Sequence, residues 1–280
     1  MAKVKLNQVV DTVNENSMGV EIEFFCRKSD VFVAEALTRA GIETRVERYN
    51  HCTREHWKIV NDGSIDSNSS NHPHEMELVS PKLYGATGLE IVRKVCAVLN
   101  CSEIDAQVNS SCGLHVHQDA ANWGAKQFAN LFDLYKMYED ELDEMVPNSR
   151  KRDNNGMCSS LDYCDSWEDV YSPDRESGKR YHKINLCSWE TYGSVEIRHA
   201  AGTTDANKIC GWMVFTQAIV ERCATARTFK KRKSILTGIQ AYKWGAEMRR
   251  SGAEEIERLS NVFQAVRLWV GRRKRQLVRG

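Results

Sequence analysis

Four short segments of this chain each place two polar side chains, two residues apart, in an otherwise apolar strand pattern. In Gly19–Phe24 they are Glu21 and Glu23, and in His74–Leu78 they are Glu75 and Glu77. In Leu114–His117 they are His115 and His117, and in Val195–Arg198 they are Glu196 and Arg198. A β-strand has a side-chain period of two, so each pair shares one face while Val20, Ile22, Phe24, Met76, Leu78, Val116 and Ile197 point to the other. An antiparallel sheet with one wet face also shows alternation, but there Lys, Thr, Ser and Gln are as common as charged groups. Here the set is five carboxylates, two imidazoles and one guanidinium. If the strands are neighbours, those carboxylates crowd together and raise one another's pKa, so something cationic must compensate. Hard oxygen donors joined by imidazole suit Mg²⁺ or Mn²⁺. Divalent ions on a sheet face in turn attract a polyphosphate, whose phosphoryl oxygens Arg198 and Arg150 are of the right type to neutralise.

The remaining pattern predicts an α+β fold, with a mostly antiparallel sheet and helices packed on one face. Strands are expected at 18–25, 56–61, 74–79, 104–108, 112–118, 181–187 and 193–199, with a turn at Asp62-Gly63. Helices are expected at 30–40, 86–99, 125–146 (stopped by Pro147), 205–228, 231–249 and 253–275. Ser251 and Glu254 form a capping box for the last helix, and Ile256, Leu259, Phe263, Val266 and Val270 mark its apolar seam. Residues 148–178 form a polar irregular stretch, with a short helix expected near 166–171.

Length and composition narrow the function class. A chain of 280 residues with 28% charged and 41% hydrophobic residues is an ordinary soluble protein, large enough for a substantial core. No apolar run reaches the length of a membrane helix and no signal-peptide core follows Met1, so a cytoplasmic location without membrane partners is expected. The ten cysteines contain no C-x-x-C, which favours free buried thiols over disulfides or structural zinc. Charge is uneven: residues 226–280 hold 15 Lys+Arg against 4 Asp+Glu, and residues 1–225 hold 24 against 34. Such a basic segment can contact nucleic acid. A solvated helical face, or a partner for the acidic body, is the preferred reading because no nucleic-acid module is recognisable there. Phosphate-loop, dinucleotide-binding and nucleophile-elbow motifs are all absent. Cys112 lies three residues before His115, but nothing supplies the third member of a nucleophilic triad.

Taken in order, the motifs resemble the amidoligase family of phage and bacterial proteins, carboxylate–amine ligases related to glutamine synthetase and γ-glutamylcysteine synthetase. The matching segments are Gly19–Phe24, Tyr49-Asn50-His51, Trp57–Ile65, Glu77–Pro81, Cys112–His117, Asn148-Ser149-Arg150, Arg180–Leu186, and Gly193–Arg198 with Gly202-Thr203. The resemblance implies a glutamine-synthetase-like catalytic domain over 1–225, followed by a basic helical segment, 226–280, packing on it. It implies that Glu21, Glu23, Glu77, His115 and Glu196 bind metal, with Glu75 a less firm member. His117 would face the phosphates of ATP, Arg198 would stabilise the transferred phosphoryl group, and Arg150 and Asn185 would contact phosphate or acyl phosphate. Glu77, Arg150 and Arg198 are the residues on which catalysis is expected to depend most.

The implied cofactors are ATP with Mg²⁺ or Mn²⁺. The implied partners are a carboxylate substrate and an amine substrate, either small amino acids or peptide or protein tails. The implied reaction is amide formation through an acyl phosphate, which a lid must shield from water; residues 151–180 are placed to supply one. Two departures stand out: Ile197 replaces the bulky aromatic frequent in the family, and the Cys52–Glu55 loop is its own. Two other activities compete with ligation: phosphotransfer on the same fold, or a non-enzymatic metal- or nucleic-acid-binding module using the basic segment.

Overall fold

The computed structural model describes residues 13–174, 177–227, 234–235 and 268–277. Its centre is a seven-stranded sheet in the order β2-β3-β4-β1-β5-β7-β6. The strands are β1 (Met18–Cys26), β2 (Thr44–Val46), β3 (Trp57–Val60), β4 (His74–Val79), β5 (Gly113–Asp119), β6 (Ile184–Asn185) and β7 (Ser194–Ala201). Only β2 and β3 run parallel; every other pair is antiparallel. The helices are α1 (Asp30–Arg39), α2 (Gly85–Leu99), α3 (Ala125–Met137), α4 (Glu139–Asp143), α5 (Ser188–Tyr192) and α6 (Ala206–Thr225). This is the α+β, mostly antiparallel architecture expected from the sequence.

The alternation in the strands sorts the two faces. Val20, Ile22, Phe24, Met76, Leu78, Leu114, Val116, Val195 and Ile197 are all buried in one apolar core. Helix α2 meets it with Leu89, Val92, Val95, Cys96 and Leu99, the three-and-four spacing that keeps one stripe inward. Each such side chain, fully buried, contributes about 1.5–3 kcal/mol relative to exposure. Gln118 is the polar exception on the apolar face of β5. It is satisfied by donating from Nε2 to the Met213 carbonyl and to Thr216 Oγ1, both at 2.9 Å, which ties β5 to α6. All ten cysteines are unpaired thiols, eight of them buried.

Four local details differ from expectation. Residues 104–108 form no strand: Asp105 adopts a positive φ of 50°, and only Gln107 bridges to Phe25 of β1. The predicted helix 125–146 breaks at Tyr138, whose φ of −118° and ψ of 14° leave the helical region, so it becomes α3 and α4. Strand β2 was missed because three residues, Thr-Arg-Val, are too few to show a period. The short helix expected at 166–171 is a 3-10 turn at Trp167–Val170.

Of the basic segment, the helices expected at 231–249 (apart from residues 234–235) and most of 253–275, with the Ile256–Val266 seam and its capping box, lie outside the described residues. Residues 268–277 are helical. Trp269 and Val270 are buried there, and the Trp269 ring centroid lies 5.4 Å from that of Trp212 and 5.9 Å from that of Phe215 on α6. Arg273 Nε donates to the Met145 carbonyl at 3.0 Å, and Lys274 Nζ lies 2.7 Å from a Glu144 carboxylate oxygen. Trp269→Ala should therefore lower the unfolding free energy by about 3–5 kcal/mol, the usual cost of deleting a buried tryptophan. Urea denaturation followed by circular dichroism measures this. Among the described residues, no helix is long and apolar enough to cross a membrane.

Candidate functional site

The strand register brings the polar pairs together. Glu21 of β1 lies opposite His115 of β5, and Glu23 lies opposite Glu77 of β4. His117 lies opposite Glu196 of β7, which in turn lies opposite Asn185 of β6. Between β5 and β7 the register shifts: Leu114 pairs with Ala200, but Val116 pairs with Ile197. The extra residue in β7 is a bulge. Beside it, Arg198 shares a cavity with Glu196, while the next residue, His199, is fully buried elsewhere.

That cavity, about 610 Å³, is lined by Glu21, Glu23, Glu77, His115, His117, Arg150, Asn185, Glu196 and Arg198. Its volume is in the range of nucleotide- and drug-sized pockets. Glu75 is not part of it; its carboxylate accepts a 2.6 Å bond from the backbone N–H of Ser67 and stabilises the neighbouring loop instead.

The carboxylates and imidazoles are in direct contact. His115 Nδ1 lies 2.8 Å from Glu21 Oε2 and 3.4 Å from Glu196 Oε1, and its Nε2 lies 3.4 Å from Glu23 Oε1. His117 Nε2 lies 3.2 Å from Glu21 Oε1, and its Nδ1 lies 3.0 Å from Ser194 Oγ. Three groups have ligand atoms all within 4.8 Å of one another: Glu21–His117–Glu196, Glu21–Glu77–His115 and Glu23–Asp62–Glu77. They overlap through Glu21 and Glu77. A set of hard oxygens with imidazole, sharing members in this way, fits small divalent cations.

The electrostatics point the same way. Five carboxylates line the cavity, those of Glu21, Glu23, Asp62, Glu77 and Glu196, together with five Lys and Arg side chains, Lys58, Lys82, Arg150, Arg180 and Arg198. Burial, and then the charges of Glu21, Glu23 and Asp62, push the Glu77 carboxyl well above the usual carboxylate range. Burial also acts on Glu21, but hydrogen bonds from His115 and His117 outweigh it and hold that carboxyl well below the usual range. Glu196, likewise buried, is drawn down by the Arg198 guanidinium, whose Nη1 donates to Glu196 Oε1 at 2.6 Å. Asn185 Nδ2 donates to the other oxygen of Glu196, also at 2.6 Å.

Backbone carbonyls hold the two buried guanidinium groups. Arg198 Nε donates to the Met157 carbonyl at 3.2 Å. Arg150 is 2% exposed and donates from Nη2 to the Cys112 carbonyl at 2.6 Å, and its Nε has no hydrogen-bond partner among the described residues. A buried cation with donor capacity left over, beside a polar cavity, is what an anionic group requires. Gly113 makes this approach feasible: a Cβ there would lie 2.8 Å from His115 Nε2 and 3.1 Å from Arg150 Nη2.

Reasoning from the polar pairs missed Lys58 and Asp62. The signal was present, since 58, 60 and 62 continue the period of two on the polar face, but Asp62-Gly63 was read only as a turn. Asp62 does both jobs: one carboxylate oxygen accepts from the Ser64 N–H at 2.8 Å, and the residue also belongs to the Glu23–Glu77 group. Lys58 spends its ammonium on the loop after β2, donating to Asn50 O at 2.8 Å and to Asn50 Oδ1 and Cys52 O at 3.1 Å. Tyr49 of the same loop lines the cavity together with Arg180, which precedes β6. Loops from the two opposite edges of the sheet thus meet at the cavity.

The model of the family described as "Putative amidoligase enzyme" matches residues 14–220. The chain belongs to the amidoligase family. The matched span contains every polar pair and both guanidinium groups. Among solved structures, the chain is similar to one titled "Crystal structure of novel glutamine synthase homolog", at 11% identity and a TM-score of 0.44, covering 99% of this chain and 72% of that one. No curated protein matches the sequence.

Proposed function

We propose that this amidoligase joins a carboxylate to an amine at the expense of ATP. The observation that carries the reading is the overlap of three carboxylate–imidazole groups beside two buried guanidinium groups on one sheet face. Glu21, Glu23, Glu77, His115 and Glu196 would hold Mg²⁺ or Mn²⁺, with Asp62 a further donor. Bound there, the ions supply charge neutralisation for a polyphosphate.

The protein's own residues do the rest. Arg198 and Arg150 face the phosphoryl oxygens, His117 and Asn185 orient the phosphates, and the fixed guanidinium groups stabilise charge as it develops. A substrate carboxylate oxygen attacks the γ-phosphorus of ATP, the bond to the β-phosphate oxygen breaks, and ADP leaves. The amine nitrogen of the second substrate then attacks the acyl carbonyl carbon and expels phosphate, with loss of the amine proton. Asn155 and Met157, from the stretch expected to act as a lid, line the cavity and are placed to exclude water from the acyl phosphate. In this reading residues 1–225 are the catalytic unit and 226–280 a basic segment seated on it.

The test is ADP release that requires Mg²⁺ or Mn²⁺, a carboxylate and an amine together, with the amide identified by mass spectrometry. A phosphorylated product that accumulates without amide would make the protein a phosphotransferase. Salt-sensitive nucleic-acid binding that disappears on removing 226–280, with no ATP use, would make it a binding module. On the proposed reading, Gly113→Ala displaces His115 and Arg150 and should weaken Mn²⁺ binding by about tenfold or more, the scale seen when a group supporting metal ligands is disturbed. Calorimetric titration reads it directly.

A further inference from the structure

A second polar cluster lies outside the cavity. Lys183, 0% exposed, directs its ammonium between two residues of α4, with Nζ 2.5 Å from Glu139 Oε1 and 2.6 Å from Asp143 Oδ1. The same Asp143 oxygen lies 2.7 Å from His199 Nε2, and His199 Nδ1 lies 2.8 Å from the Tyr135 hydroxyl. Burial, despite the bond to Asp143, pushes the His199 imidazole down, which favours its neutral form. None of these five residues lines the cavity.

Each arm of the cluster ends on a segment that carries an anion-facing group. Glu139 Oε2 accepts from the Leu161 N–H at 3.0 Å, and Asp143 Oδ2 accepts from the Arg152 N–H at 2.9 Å. These two bonds pin the stretch that begins with Arg150 and includes Met157, whose carbonyl holds Arg198 Nε. The Lys183 carbonyl accepts from the Arg198 N–H at 2.9 Å, and the Lys183 N–H donates to the Ser159 carbonyl at 3.1 Å. Asn185 follows Lys183 by two residues, and His199 adjoins Arg198. The three segments that bear Arg150, Asn185 and Arg198 therefore converge on one ammonium and two carboxylates.

A buried ion pair is a poor source of net stability, since desolvation of both charges offsets their attraction. What a fully hydrogen-bonded pair does supply is fixed geometry. We propose that Lys183 is a positioning residue: clamped between Glu139 and Asp143, it sets Arg150, Asn185 and Arg198 in register for the phosphates of the nucleotide without touching it. The identity of that ligand as ATP rests on the ligase reading.

The experiment compares the full-length wild type with Lys183→Met and Glu139→Gln. Mn²⁺ affinity is measured by electron paramagnetic resonance, ATP affinity in saturating Mn²⁺ by calorimetry, and the thermal midpoint by calorimetric scanning. Glu139→Gln keeps the shape of the side chain and one carboxylate of the clamp, so it serves as the folded comparator should Lys183→Met fail to fold. Of the five metal-holding residues only Glu196 bonds to Asn185 and Arg198, while the four on β1, β4 and β5 do not depend on the clamp, so Mn²⁺ affinity should stay within about twofold. ATP affinity should fall about 10- to 100-fold in Lys183→Met, the scale of losses when a supporting group is removed, and less in Glu139→Gln. Wild-type ATP affinity in the folded variants would overturn the proposal alone. So would a parallel fall of Mn²⁺ affinity, ATP affinity and thermal midpoint, which marks a merely structural role. A wild-type protein that binds Mn²⁺ but no ATP would overturn the ligase reading and the proposal with it.

Discussion

Glu77→Gln is expected to abolish metal-dependent ADP formation while leaving the metal-free protein at least as stable as the wild type. Glu77 is a member of two of the three candidate ligand groups, with Glu21 and His115 on one side and Glu23 and Asp62 on the other. Gln keeps the volume and loses the charge. Without cations, burial and three neighbouring carboxylates disfavour the ionised form of Glu77, so removing its charge relieves repulsion. With cations, the same substitution removes a candidate ligand that two groups share. Turnover should fall by about 10³-fold or more, the cost of losing a central electrostatic contact in a preorganised site.

A thermal-shift experiment separates the two effects. A saturating ligand at 100 times its dissociation constant stabilises a protein by about 2.7 kcal/mol. The wild-type midpoint should rise accordingly with Mn²⁺, and the variant should lose most of that rise while matching or exceeding the wild type without metal. Full turnover by the variant would remove the ligase assignment.

Arg198→Lys should cut ADP formation about 10²- to 10³-fold with little change in Mn²⁺ affinity. The substitution conserves charge and changes geometry. Arg198 grips Glu196 through Nη1 and the Met157 carbonyl through Nε, which fixes the plane of the guanidinium. A lysine ammonium is a point charge on a flexible stem and cannot hold both contacts at once. The loss should appear in kcat more than in KM for ATP if the contact strengthens as charge develops on the phosphoryl group. Equal kcat values for the two proteins would show that Arg198 only offsets the charge of Glu196.

The architecture and the grouping of most candidate-site residues on one face were legible in the chain for one physical reason. A strand's period of two writes its two faces into the sequence, and a face bearing Glu21, Glu23, His115, His117, Glu196 and Arg198 has too particular a composition to be an ordinary wet surface. The same rule carried one strand too far, giving a face position to Glu75, which the Ser67 loop takes away. It also stopped one residue type too soon, because the turn signal of Asp62-Gly63 hid a carboxylate that continues the period from Lys58.

The chain by itself determined which residues share a face, which segments are helical, and which side chains are chemically suited to metals and phosphate, because those properties depend on neighbours in sequence. Only the tertiary structure decided which strands adjoin, and so which carboxylates overlap: β1 sits between β4 and β5, not beside its neighbours in the chain. It also decided that the guanidinium of Arg150 reaches the carbonyl of Cys112 across 38 residues, and that Lys183 finds Glu139 and Asp143 across 44 and 40. Such contacts leave no periodic trace. A buried lysine and an exposed one look alike in sequence, and only the closing of distant segments around it supplies the counter-charges that permit its burial.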